Sequence, residues 1–318
     1  MLRRARQTQF EPLDCARLPL FLATHQGLTD KGNAGEALQH GLDSLFGYPA
    51  PCAAWEEYIL PARLDPYYPT HLDSLLQSSG LIWYGCGDKK ISFAFAEDLE
   101  LFLGEREITD SQREELAKLF PDPKARYSFF DILRQSGVNS AALSERLWSL
   151  VWQGYLGNDS YAVLRRGIES NFQPHREEIH HARRHGFSRW ESSRPLAGPF
   201  FLLPAQKEEQ QPDGIARQEL VKDRVRQLLV RYGIIFRELL AKEPPELQWR
   251  SIYKTLRLME LSGELLAGYF FTGIEGPQFI SPEAFRLLQK GLDEDAIYWL
   301  NASDPASLCG IGPEPLRT

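Results

Sequence analysis

Arg250, Lys254 and Arg257 stand at i, i+4 and i+7 in a stretch with helical apolar spacing, which puts three cations on one helix face. Ile252, Leu256 and Met259 fall on roughly the opposite face. A helix that is apolar on one side and cationic on the other can rest on its own domain while holding phosphates or base edges. A solvated surface stripe has the same pattern, so the reading also depends on the elements around it. Arg63 and His71 lie at a second helical stretch, which presents Tyr68, Thr70, Ser74 and Gln77, and they form a weaker contact set. A third helical stretch presents little beyond Arg146.

Other residues suggest chemistry less directly. His175, His180, His181 and His185 share a polar stretch with Arg176, Arg183, Arg184, Arg189 and Arg194. If that stretch is helical, Glu177, His181 and His185 share a face with acceptable ligand geometry. No fourth ligand is in sight, so no metal site is assigned, and a solvated linker or a basic patch near phosphate explains the pattern. Trp148 and Trp152, at i and i+4, could stack on bases, although Leu147, Leu150 and Val151 around them favour packing. Asp304, within Asn301-Ala302-Ser303-Asp304-Pro305, is the one candidate acid: a carboxylate there could activate a water or stabilise a sugar cation in base excision. Ser-Asp-Pro is also ordinary turn chemistry, which is the preferred reading.

Familiar catalytic signatures are missing. Phosphate-loop chemistry needs G-x-x-x-x-G-K-[ST]. In Gly27-Leu28-Thr29-Asp30-Lys31-Gly32-Asn33-Ala34 the lysine precedes the second glycine, and no Ser/Thr follows. Gly85-Cys86-Gly87-Asp88 lacks the third glycine of a dinucleotide loop. G-x-S-x-G and H-E-x-x-H are absent as well.

The elements that must position these residues repeat one layout. A helical stretch ends at a glycine and a β-type stretch follows: 69–76 with Gly80 and 81–84, 143–152 with Gly154 and 155–156, and 252–261 with Gly263 and 264–266. Aligned on the glycine, Leu76, Leu150 and Met259 precede it by four residues, and Ile82, Leu156 and Leu265 follow it by two. The glycine suits a left-handed helix cap. Further helical pattern precedes each segment, at 35–45 and 53–60, at 111–120 and 127–135, and at 218–232 and 236–242. Residues 89–95 and 277–280 read as return strands. The sequence therefore predicts an α+β fold, mainly α, of tandem winged-helix domains, each a helix-turn-helix with a β wing. Three generic α-hairpins with incidental strands are the alternative. The expected boundaries are a first winged helix at 1–108, a second at 109–171, a linker with a short strand (200–203) at 172–212, a third winged helix at 213–291, and the start of a truncated β module at 292–318, opened by a strand at 295–300.

Composition narrows the classes further. The chain has 318 residues, with 36 Lys+Arg against 43 Asp+Glu, and a net charge of −7. That acidity argues against a nucleic-acid coat over the whole surface and leaves room for a local cationic face. No apolar run approaches the ~18 residues of a membrane span. No apolar segment follows the basic start, so no secretory signal is expected. Cys15, Cys52, Cys86 and Cys309 are scattered, which fits a reducing cytoplasm.

An ordered set of short motifs carries a resemblance over about residues 10–304. Glu57-Tyr58-Ile59-Leu60-Pro61-Ala62-Arg63, Leu81-Ile82-Trp83, Leu147-Trp148-Ser149-Leu150-Val151-Trp152-Gln153-Gly154, Arg231-Tyr232-Gly233-Ile234-Ile235-Phe236-Arg237-Glu238-Leu239-Leu240-Ala241, Gly268-Tyr269-Phe270 and Ser303-Asp304-Pro305-Ala306 resemble the C-terminal region of Lhr-type (large helicase-related) ATP-dependent DNA helicases. The resemblance implies a family of repair helicases with two RecA-like motor domains. Long bacterial forms add tandem winged helices and a β-barrel-like module. That extension resembles alkylpurine-excising DNA glycosylases, and some long members have uracil-DNA glycosylase activity assigned. This chain departs from the pattern in having no motor and in stopping soon after Ser-Asp-Pro. The glutamine motif of the glycosylases is not evident, and Gln278 is not a match. ATP and magnesium then belong to the motor domains, and no cofactor is expected here. The expected function is a DNA-binding accessory region whose partners are DNA and motor domains in cis or in trans, with a homo-oligomer allowed and no membrane. A glycosylase-like module and a protein-interaction or oligomerisation module are the alternatives.

Overall fold

The computed structural model describes residues 10–32, 34–104, 108–173, 198–204 and 214–310. The histidine- and arginine-rich stretch with His175, His180, His181, His185 and Glu177 lies outside these residues. In chain order the elements are α1 (Leu18–His25), α2 (Ala34–Asp43) and β1 (Ala50–Pro51). A helical run follows, made of α3 (Cys52–Ala54), a π-helical stretch (Trp55–Ile59) and α4 (Leu60–Arg63). Next come α5 (Pro69–Ser78), β2 (Leu81–Gly85), β3 (Lys90–Phe95), α6 (Leu99–Phe102), α7 (Asp110–Leu119), α8 (Phe129–Ser136), α9 (Ser140–Trp152), β4 (Leu156–Asn158), α10 (Tyr161–Glu169) and β5 (Phe200–Leu202). The last are α11 (Gly214–Tyr232), β6 (Ile234–Ile235), α12 (Trp249–Ser262), β7 (Leu266–Gly268), β8 (Gln278–Ile280) and α13 (Pro282–Lys290).

Local chemistry explains where several helices begin and end. Thr109 and Ser128 each form a reciprocal capping box, with Gln112 and Asp131, at the starts of α7 and α8. The Asn139 side chain accepts from Ala142 N to start α9, and Ser281 does the same for α13 through Ala284 N. Gly80, Gly154 and Gly263 all have positive φ, at 70, 74 and 84°. The glycine alignment thus marks three helix ends where an L side chain would be strained.

The elements group into two compact units. One takes Met1–Leu45, Tyr58–Pro66 and Pro212–Thr318, and the other Phe46–Glu57 and Tyr67–Gln211. Each unit is drawn from stretches that are not contiguous in the chain.

The unit that begins at Phe46 is built on a five-stranded antiparallel sheet in the order β1-β3-β2-β4-β5. In its hairpin Trp83 faces Phe93. The strand after α9 joins the same sheet through Tyr84 and Gly157, and β5 pairs with β4 at Leu156 and Leu202. The strand assigned to the linker is therefore the sheet's fifth strand, and the first two wings are one sheet. An unpaired strand edge is costly, and here β4 finds its ladder partner some 40 residues on. Trp55, Trp83, Phe93 and Tyr161 form the buried aromatic centre.

The other unit holds α11, α12, α13 and a three-stranded antiparallel sheet in the order β6-β8-β7. Ile252, Leu256, Phe236, Leu239, Phe279 and Ile280 are wholly buried in its core. The N-terminal segment completes it. Leu13 N donates to Phe270 O (2.9 Å), Thr272 N donates to Leu13 O (2.8 Å), and Phe21 packs on Phe271. One expectation fails: 295–300 is not a strand. Ala296 N donates to Asp293 O and Asp295 N to the Asp293 side chain, which bends the chain into a turn. No strand among the described residues pairs with it, and Ile297 and Trp299 are 84% and 85% exposed.

Candidate nucleic-acid interface

The α12 helix carries the cationic row. Its inner side is Ile252, Thr255, Leu256 and Met259, all buried. Its end is fixed by Gly263 N donating to Glu260 O (3.1 Å) and Glu264 N donating to Met259 O (3.0 Å). With the inner side anchored, the helical period turns Arg250 and Lys254 outward, and both are exposed. Neither has an acidic partner among the described residues. Arg257 lies on the same face, with Nη1 2.5 Å from Glu260 Oε2. Two cations thus stand without acidic partners among the described residues, and a third is held by a half-buried intrahelical pair.

The wing that follows α12 is pinned from inside by a residue the sequence reading set aside. Gln278 is fully buried. Its Oε1 accepts from Phe270 N (3.0 Å) and Phe271 N (2.9 Å), and its Nε2 donates to Phe271 O (2.7 Å). The amide of Gln278 is spent on the wing backbone, so it faces no ligand. Phe270 and Phe271 are held inward, while Tyr269 is 68% exposed. The sequence signal for this was the alternation of Gly268-Tyr269-Phe270 beside a glutamine, legible only once the return strand is known.

Arg63 is corrected as a phosphate contact. It is 4% exposed. Its Nη1 donates to Asp304 Oδ2 (2.6 Å) and Ile59 O (3.0 Å), and its Nη2 donates to Asp304 Oδ1 (3.0 Å) and Gln26 Oε1. A guanidinium buried this way is committed to its carboxylate. Asp304 is corrected with it: at 0% exposure, both oxygens are taken by Arg63, and Oδ1 also accepts from Ala306 N (2.9 Å). The turn reading of Ser303-Asp304-Pro305 holds, with Ser303 N donating to Asn301 Oδ1 and Asp304 N to Asn301 O.

His71 sits in the first turn of α5, half-buried, with its ring edge-on to Tyr68 at 5.4 Å. It belongs to the unit that begins at Phe46, so it forms no set with the α12 cations inside one unit. Arg146 is held by Glu115 through two bonds, one of them 2.5 Å from Nε to Oε1, which raises its already high pKa. Trp148 and Trp152 stack on each other at 5.2 Å, with Trp148 buried. Burial pushes the Cys52 thiol up to about 11 and the Cys86 thiol up to about 12, so neither is a ready nucleophile near neutral pH. Among the described residues no group of three His, Cys, Asp or Glu is placed to hold a metal ion. No helix among them is long and apolar enough to cross a membrane.

Two family models match this architecture, both described as the winged-helix domain of large helicase-related protein: the third such domain at residues 14–96 and the fourth at residues 215–299. The chain belongs to the large helicase-related family. Its Lhr character extends beyond those segments. The "Lhr helicase/ probable uracil glycosylase" of Mycolicibacterium smegmatis is 27% identical over 339 residues, covering 96% of this chain and 22% of that protein. The "Lhr helicase/uracil glycosylase" of Escherichia coli is 29% identical over 324 residues, covering 92% and 20%. The chain thus spans about a fifth of the length of these curated Lhr relatives. Among solved structures, the Streptomyces sahachiroi DNA glycosylase AlkZ matches 89% of this chain and 73% of its own, with 13% identity and a TM-score of 0.49.

Proposed function

We propose that this chain is a DNA-binding accessory region of a DNA-repair helicase. Its winged helices position DNA for a motor that acts in cis or in trans. The observation that carries the reading is the outer face of α12, where Arg250 and Lys254 are exposed without acidic partners beside Arg257. Cations on a rigid, well-anchored helix hold phosphates in a fixed register, and they bind through counterion release. The Tyr269 ring, exposed at the root of the wing, adds a flat surface on the same winged helix. In a chain of net charge −7, binding is confined to such a face.

The test is duplex DNA binding by fluorescence anisotropy over a range of salt concentrations. Arg250→Ala with Lys254→Ala is expected to weaken affinity at least tenfold at low salt. The slope of log K against log salt should flatten by about 2, roughly one unit per phosphate contact. Unchanged affinity and slope would remove α12 as the interface.

The relatives' names raise a second reading, excision of uracil. It needs a side chain that can reach a flipped base. Asp304 is sealed by Arg63 and Gln278 is consumed by the wing, which weighs against both as that group. Abasic product from a uracil-containing oligonucleotide at high protein excess would reverse this preference.

A further inference from the structure

A shallow groove of about 620 Å³ lies wholly within the unit that begins at Phe46, and its lining includes Gly87, Asp88, Glu145, Trp148, Trp152 and Phe172. Its floor is aromatic. Trp148 and Trp152, one turn apart on α9, stack at 5.2 Å and 17°. The Phe172 ring stands edge-on to both, at 4.8 and 5.0 Å. That ring occupies space left by Gly167, where a Cβ would come within 2.3 Å of the Phe172 Cε1.

The polar side of the groove is acidic. Asp88 and Glu145 are exposed, and neither has an ion-pair partner among the described residues. The adjacent cation forms no ion pair with either among the described residues: Lys89 Nζ donates to Asn171 Oδ1 (2.8 Å) and lies 5.8 Å from the Phe172 ring centroid. Lys89, Asn171 and Phe172 are also the described non-glycine residues with positive φ, at 51, 51 and 58°. Such backbone costs on the order of 1 kcal/mol per residue and is kept only where surrounding contacts hold it. The strained positions thus gather where the groove is walled.

Aromatic faces with unpaired carboxylates attract cations, since the ring quadrupole and the carboxylate act in the same direction. A phosphate backbone would meet two carboxylates in the lining, with Lys89 the adjacent cation already turned onto Asn171 and the Phe172 ring. A guanidinium suits this surface best. It is planar enough to lie on Trp152, and its fork can pair with a carboxylate at the rim. We propose that this groove binds an arginine side chain from a basic peptide segment of another protein. This gives the unit that begins at Phe46 a protein-docking role, apart from the DNA-facing role proposed for α12. The proposal rests on residues of one unit, so loss of DNA binding in the α12 variant would leave it standing.

The test uses the intact chain with ¹⁵N-labelled tryptophan and follows the Trp152 indole resonance by NMR. The probe is a capped glycine-arginine peptide carrying two arginines. Saturable displacement of the Trp152 signal is expected, with affinity falling about tenfold in the Asp88→Asn, Glu145→Gln double variant, as for other paired charges at a contact. Both substitutions are at exposed sites, and an unchanged melting curve verifies the fold. Three results would overturn the proposal: no saturable shift at low salt, equal affinity in the double variant, or displacement of the same resonance by an oligothymidine and not by the peptide. The last would assign the groove to unpaired bases.

Discussion

Asp304 is an acid whose charge must be matched because no water reaches it. Arg63 supplies the match in a two-pronged pair, and Gln26 and the Ile59 carbonyl take the other two Nη protons, while the buried Nε has no hydrogen-bond partner among the described residues. Removing one partner leaves the other buried and unpaired, a loss of about 3–5 kcal/mol. Asp304→Ala is therefore expected to lower urea-unfolding stability by that amount, and Arg63→Met with Asp304→Leu by clearly less. Equal losses would show that the charge pair itself, and not the orphaned arginine, sets the cost. His25 gives a pH dependence at the same scale. Burial lowers its pKa below the ordinary 6.5, opposed in part by the Val230 and Leu229 carbonyls and by Glu283. Its Nε2 lies 3.0 Å from Val230 O, a bond the neutral ring makes. The unfolded chain takes up the proton first, so this contribution is intact above pH 6.5 and is lost as pH falls from there through the lowered folded value. His25→Gln should flatten stability over that window, as read from urea midpoints at successive pH values. The sequence pointed to Arg63 and Asp304 as notable residues and could not pair them, because they lie 241 positions apart. Arg250 and Lys254 were legible because a helix puts its own neighbours in register.

Among the elements, the glycine-ended helices were readable for the same reason: a left-handed cap is a local conformational demand. Gly80 and Gly85, at the two ends of β2's hairpin approach, separate two kinds of cost. Gly80 has φ of 70° with nothing near its missing Cβ, so Gly80→Ala carries backbone strain alone, about 1–2 kcal/mol. At Gly85 a Cβ would stand 1.9 Å from the Val151 carbonyl oxygen, a backbone atom that cannot swing aside. Gly85→Ala must push β2 from the end of α9, and its loss of stability is expected to exceed that of Gly80→Ala in parallel urea titrations. A smaller loss would mean that α9 yields easily. What the elements hid was pairing. The apolar residues of 200–202 signalled a strand, and nothing local said that it completes the sheet begun at β1. Residues 295–300 show the converse: a short apolar run without a ladder partner among the described residues stays irregular, with Ile297 and Trp299 in solvent.

At the scale of the molecule, the unit bearing α12 is assembled from three separate stretches of chain. The linear boundary at 212 makes its last stretch look like an autonomous winged helix. Its contacts say otherwise. Leu13 extends the wing backbone, Phe10 packs on Phe285, His25 reaches the end of α11, the Gln227 amide donates to Asp43 O (2.7 Å), and Arg63 neutralises Asp304. Each partner outside 212–318 lies between residues 10 and 63. A polypeptide of residues 212–318 alone would lose the charge match at Asp304, worth about 3–5 kcal/mol, and would expose the Phe271 and Phe285 surfaces. Against a typical domain stability of about 5–15 kcal/mol, that loss takes much of the total. The fragment is expected to unfold in urea at a far lower midpoint than the intact chain, or without a cooperative transition. Adding Asp304→Leu to the fragment should recover part of the loss, because the buried acid no longer needs its arginine. A fragment with the full chain's midpoint would show that the N-terminal stretch only decorates a self-sufficient domain.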